Sequence, residues 1–171
     1  DNEGITISTD VATLNSTTPI QTISKQNDNA SVWDLTINLD GTPNGKEVIT
    51  VNPATDTSIY DALGNAAVTN QSNNTVTLYD INPPTITSTS INEDNTELTV
   101  TFSEDVYGNS ANLINLTADD FTLSLTGGTA TLNSTTPISI TNSDNKVWTL
   151  GVPTFTGAPN GNEEITVNPA T

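Results

Sequence analysis

The sequence contains no cysteine, no methionine and no histidine, and its only basic residues are Lys25, Lys46 and Lys146. Each absence closes a route. Without Cys or His there are no disulfides, no thiol chemistry and no zinc site of the usual kind. Nucleophilic and acid–base mechanisms that turn on imidazole are excluded with them. Three lysines against 20 acidic residues give a formal net charge of −17. Such a surface repels phosphate, so nucleic-acid binding and attraction to anionic lipid are both disfavoured. No apolar run approaches the roughly 20 residues a membrane-spanning helix requires.

What the sequence does have is Thr and Asn, which together make up about a third of the 171 residues. Thr favours strands, whereas Asn favours turns and tolerates left-handed backbone. With 33% hydrophobic and only 13% charged residues, the composition predicts a turn-rich all-β chain rather than a disordered acidic tail.

Self-similarity organises the sequence. The nonapeptide Ala12-Thr13-Leu14-Asn15-Ser16-Thr17-Thr18-Pro19-Ile20 recurs unchanged at Ala130–Ile138, an offset of 118. Val32-Trp33 returns as Val147-Trp148, an offset of 115. Pro43-Asn44-Gly45 and Ile49–Thr55 return as Pro159-Asn160-Gly161 and Ile165–Thr171, an offset of 116. The shifting offset places small insertions in turns. The repeat is therefore about 116 residues, a length that suits one sandwich domain. The first copy lacks its opening and the second its end. That phase, with no initiator Met, predicts a window cut from a longer tandem array.

Alternation with a period of two runs through both copies. Leu98, Val100 and Phe102 share one face of a strand; Phe121, Leu123 and Leu125 form another row, as do Ile5 and Ile7. Trp148, Leu150 and Val152 match Trp33, Leu35, Ile37 and Leu39, and both tryptophans are expected in the core. Ile165 with Val167 and Val76 with Leu78 complete the rows. Turn clusters such as Asp40–Gly45, Gly64-Asn65 and Asn92–Asn95 separate them. About seven short strands per unit predict tandem immunoglobulin-like β-sandwich repeats, each copy here incomplete. The expected division is 1–80 for the later part of one unit, 81–84 for a Pro-rich linker and 85–171 for the beginning of the next.

Four stretches carry a family resemblance. Asn95–Val106 resembles the second strand of bacterial Ig-like repeat domains, with their "TVTFSE-V" pattern. Ala118-Asp119-Asp120-Phe121-Thr122-Leu123 is similar to the following "A-DF-L", and Tyr60–Ala66 to a late "D-AGN" turn. Asp80-Ile81-Asn82-Pro83-Pro84 resembles the linker between repeats. The resemblance implies a secreted bacterial surface protein, of adhesin or S-layer-associated type, in which such modules extend, display or assemble. Its implied partners are neighbouring repeats or subunits, with surface glycans or another cell as further candidates.

Catalysis is not expected. Glu104-Asp105, Asp119-Asp120 and Glu163-Glu164 are adjacent pairs, and neighbours on a strand point to opposite faces. Asn2 stands where Asp120 does and Val48 where Glu164 does, so neither pair belongs to the repeat. A Lys–Asn isopeptide staple is disfavoured because no lysine recurs at its equivalent position. The six Asn-x-Ser/Thr sequons, at Asn15, Asn29, Asn70, Asn73, Asn115 and Asn133, follow from the composition.

Calcium is the cofactor expectation, since the sequence is rich in oxygen ligands and poor in others. Sandwich topology would gather Asp40, Asp80, Asn82, Glu104 and Asp105 at the junction between repeats. Asp61 and Asn65 would occupy the matching junction on the other side. Against this, no EF-hand or Gly-Gly-x-Gly-x-Asp signature is present. The functional expectation is a non-catalytic spacer or assembling stalk. Its alternatives are a filament subunit completed by a neighbour's strand and a carbohydrate-binding accessory module. Open strand edges left by the incomplete copies are expected to be covered by another chain or by more of the same one.

Overall fold

A computed structural model describes residues 4–8, 10–111 and 113–170. Asn2 and Thr171, invoked above, lie outside them. The described residues are all-β, apart from one 3₁₀ turn at Ala118–Asp120, and their small antiparallel sheets fit the β-sandwich class. The chain divides into two compact units, Asp1–Asn82 and Pro83–Thr171.

The second unit shows what the alternating pattern builds when its strands are present. β8 (Ile86–Ile91) and β9 (Glu97–Phe102) form a hairpin around Asn92–Asn95. The Asn92 side-chain oxygen accepts the N–H groups of Thr96 and Glu97, and Asn95 takes the left-handed backbone at φ 57° that the turn requires. β9 then pairs with β13 (Val147–Gly151), which pairs with β12 (Ser139–Asp144), in the sheet order β12-β13-β9-β8. Register sets Val100 opposite Trp148 and Leu98 opposite Leu150.

The facing layer is β10 (Phe121–Thr126) paired with β15 (Glu164–Pro169), with Leu123 opposite Val167. A short pair, β11 (Thr131–Leu132) with β14 (Phe155–Thr156), joins them. Leu98, Val100, Phe102, Phe121, Leu123, Trp148, Leu150 and Val167 pack into one buried cluster. The Phe102 and Phe121 rings meet at 6.3 Å and 51°, a tilted contact that fills space without stacking.

The first unit repeats the later part of that scheme strand for strand. β2 (Thr13–Leu14) pairs with β5 (Leu39–Asp40) as β11 does with β14. β3 (Ile20–Lys25) pairs with β4 (Trp33–Ile37) as β12 does with β13. β1 (Ile5–Ile7) pairs with β6 (Val48–Val51) as β10 does with β15. β6 also holds β7 (Thr75–Thr77), giving the order β1-β6-β7. Among the described strands of this unit, none occupies the place that β8 and β9 fill in the other.

That difference corrects the expectation that both tryptophans are buried. Trp148 is 1% exposed and Trp33 is 48% exposed. Both indoles are anchored alike, each Nε1–H donating to the carbonyl three residues back, Ala30 or Asn145, at 3.1 Å. The residues and the anchor are the same, but β13 has β9 beside it and β4 has only β3. Val76, expected inward, is likewise exposed.

The burial difference sets a stability difference. Trp148→Ala should cost about 3–5 kcal/mol, the range for removing a large aromatic from a packed core. Trp33→Ala should cost less than half as much. Denaturant unfolding of the two variants checks this, and equal losses would contradict it.

Candidate functional site

Three features bear on function: the carboxylates singled out from the sequence, a pair of glutamates whose role the sequence hid, and an apolar groove in the first unit.

The sequence candidates are held by their own turns. Asp40 accepts the Asn15 side-chain amide at 3.0 and 3.2 Å. Asp61 accepts the N–H groups of Leu63 and Asn65 at 2.9 and 2.8 Å, and its other oxygen takes the Asn65 amide at 2.8 Å. The Asn65 side chain, then its backbone, hold the Asp61 carboxyl below the usual aspartate range. Asp80 accepts the Asn82 N–H at 2.9 Å, and Asn82 donates to the Thr42 carbonyl at 3.2 Å. Asp80 also bridges Asn44, which lays this segment against the Asp40–Gly45 turn. Glu104 and Asp105 follow β9 in the second unit.

The structure therefore brings Asp80 and Asn82 together with one turn, and Asp61 with Asn65. Among the described residues no three carboxylates gather as a metal site would need.

The glutamates missed in the sequence are Glu47 and Glu163, equivalent positions that follow the Pro-Asn-Gly turn. Glu47 is fully buried. Its two oxygens accept the N–H groups of Ala12 and Asn44, both at 3.0 Å. Glu163 does the same with four donors, Thr129 at 2.9 Å and Ala130 at 3.2 Å on one oxygen, Asn160 at 2.8 Å and Gly161 at 3.1 Å on the other. Each carboxylate thus ties the turn before β6 or β15 to the segment that opens the short pair. A Cβ on Gly128 would stand 2.0 Å from the Glu163 carboxylate, so a side chain there would have to displace the end of Glu163. The signal was available: Glu47 and Glu163 are the acids that both copies keep at the end of Pro-Asn-Gly-x-Glu.

Desolvation pushes both carboxyls up, and N–H donation outweighs it. For Glu47 the donors are Ala12, its own N–H, Asn44 and Lys46, and the carboxyl is held below the ordinary glutamate value. For Glu163 they are led by Thr129, Ala130 and Asn160, and its pKa falls to about 2.

The groove lies in the first unit, bordered by β3, β4 and residues 51–60. It has a volume of about 570 Å³ and is lined mainly by apolar side chains, among them Ile23, Trp33, Leu35, Val51, Ile59 and Tyr60. Ile23, Trp33, Ile59 and Tyr60 are each about half exposed or more, at 59%, 48%, 55% and 53%. Lys25 extends over the Trp33 ring, its Nζ 5.6 Å from the centroid. Among the described residues no acid, amine or imidazole lines the groove, and most of the lining offers apolar contact. Of the three tyrosines, Tyr60 borders this groove and Tyr79 is 89% exposed. Tyr107 is half-buried, and its hydroxyl accepts from Asn145 at 3.2 Å.

No family model, no curated protein and no solved structure matches the chain.

The glutamate latch makes the second unit acid-sensitive in a defined window. A carboxyl lowered in the folded state stabilises above its unfolded value, about 4.3, and loses that contribution as pH falls toward the folded value. Stability of the Glu163 unit should therefore be flat above about pH 5.5 and decline between about pH 4.5 and 2. Glu163→Gln should lower stability at neutral pH and flatten the decline, since an amide turns a donor toward backbone N–H groups. Urea titrations across pH measure this; an unchanged slope in the variant would assign the acid sensitivity elsewhere.

Proposed function

We propose that the chain is a non-catalytic structural module: consecutive immunoglobulin-like repeats of a bacterial cell-surface protein, working as a spacer or assembling stalk. The observation that carries this reading is that two units share one strand-pairing scheme, one Pro-Asn-Gly turn and one glutamate latch. A chain that preserves packing and turn chemistry between copies is specified for architecture. None of the adjacent carboxylate pairs that a catalytic reading would need is present as a pair in both copies. The −17 charge suits an exposed, soluble surface that resists sticking to its neighbours.

A carbohydrate-binding role has one observation in its favour, that two half-exposed aromatics, Trp33 and Tyr60, both line the groove. Against it, the polar groups that fix sugar hydroxyls are sparse there. The spacer reading is preferred.

Two outcomes test it. The coding sequence around this segment should contain further copies at a spacing of about 116 residues, and antibody raised to the chain should label intact cells. A cytoplasmic product holding only this segment would overturn the proposal. Calcium enters the reading as a counter-ion to the net charge rather than as an ion in a defined ligand set. Melting temperature should rise alike with calcium, magnesium and raised ionic strength. A calcium-specific rise would instead show a built site; at about a hundredfold excess over Kd it would contribute about 2.7 kcal/mol.

A further inference from the structure

We propose that the groove beside Trp33 is a docking site for a β-hairpin of the Ile86–Phe102 type, supplied by a further copy of the repeat. The inference rests on the repeat reading and adds to it a surface, an occupant and a register.

The argument is a comparison between two equivalent faces of one chain. In the second unit the hairpin sits along the edge of β13, setting Val100 opposite Trp148 and Leu98 opposite Leu150. Val100 and Leu150 are then fully buried and Trp148 is 1% exposed. In the first unit β4 carries the same row, Trp33 and Leu35, with the same indole anchor. β4 pairs with β3 and, among the described strands, with no other. Val51, equivalent to Val167, is 38% exposed where Val167 is 7%.

These differences fall on one side of the unit and concern residues that the hairpin, or the core it completes, covers in the other copy. The groove is the impression left by a missing strand pair. A strand entering it would gain main-chain hydrogen bonds along the β4 edge and pockets for every second side chain. Register follows from the occupied copy: Val100 of the incoming hairpin would face Trp33, and Leu98 would face Leu35.

The alternation of the hairpin is what recognises the site. Leu98, Val100 and Phe102 are its buried row, and Thr99 and Thr101 lie on its other face. A strand without that row would expose polar groups to an apolar groove. Lys25 stands by the Trp33 ring at the groove's margin, where it counters the acidic character of an incoming copy of the same repeat.

The test grafts residues 83–118 ahead of Asp1 in the full chain, which supplies the hairpin in the phase at which it precedes β10. Acrylamide quenching reads Trp33, since Trp148 is already buried, and amide exchange reads β4. Quenching should fall by about threefold, and exchange across residues 33–37 should slow by about tenfold or more, as an unpaired strand edge becomes a paired one. Leu98→Lys with Val100→Lys, placed in the grafted copy alone, should abolish both effects while leaving the resident hairpin intact.

A native graft that leaves both readings unchanged overturns the proposal, as does a lysine graft that protects equally well. Anilinonaphthalene sulfonate lighting up at the groove with no protection by the graft would assign it to a small apolar ligand. None of these failures touches the tandem-array reading, which the flanking coding sequence decides separately.

Discussion

The carboxylate that follows each Pro-Asn-Gly turn is the constraint on which the architecture depends. A charge taken out of water is costly unless it is met by donors. Glu47 and Glu163 are met by backbone N–H groups from two segments more than thirty residues apart, so each is stable only when both segments are in place. The left-handed glycines Gly45 and Gly161, at φ 79° and 85°, let the turn fold back so that its N–H groups point at the carboxylate. From that fixed point the next strand starts in register. Ile49 and Val167 then fall on the buried face, and their neighbours on the outer one.

Polar side chains perform the rest of the turn closure, which is why so little of the chain needs to be apolar. The Asn15 oxygen accepts from the backbones of Thr17 and Thr18, and its amide reaches Asp40 on the paired strand. Asn133, its equivalent, reaches across to Thr154 and Thr156 instead. One residue type thus closes the same connection in both copies through different partners. Cross-strand threonines such as Thr22 and Thr36, with hydroxyls 2.7 Å apart, add hydrogen bonds on the wet face of a sheet. Asn and Thr are abundant because the chain is mostly short strands and tight turns.

Much of this was legible beforehand and some was not, for physical reasons. Period-two alternation found the strands, and the inward row Leu98, Val100, Phe102 is buried as its pattern requires. The repeat gave the equivalence of the two pairing schemes. What alternation cannot give is whether an inward-type residue has a partner. Trp33 and Trp148 carry identical local signals, and their burial differs because it is a property of the neighbouring strand. The direction an acidic side chain takes is likewise set by bonds that its pattern does not show. Topology places a loop at a pole, but an Asx-type hydrogen bond such as that of Asp61 with Leu63 turns the carboxylate back onto its own backbone. Conversely, Glu47 and Glu163 looked like ordinary surface acids, because the N–H groups they satisfy belong to residues that are distant in sequence.

The two units also show how a repeat divides its specification between side chain and context. Trp33, Leu35 and Ile23 are side chains a core would use, yet Ile23 is 59% exposed in its unit while its equivalent Ile140 packs against the buried cluster of the other. Scattered apolar exposure is ordinary in folded proteins, but here it is contiguous and borders a single groove. The polar alternates that would make such a face indifferent to water are absent from β4 at the positions that count. Asp34 and Thr36 occupy the alternate positions between Trp33, Leu35 and Ile37. The strand has therefore kept a two-faced pattern that serves no purpose for a lone pair of strands. In the second unit the matching row packs beside β9, with Val100 opposite Trp148 and Leu98 opposite Leu150, and there the same two-faced pattern is buried on its inner side.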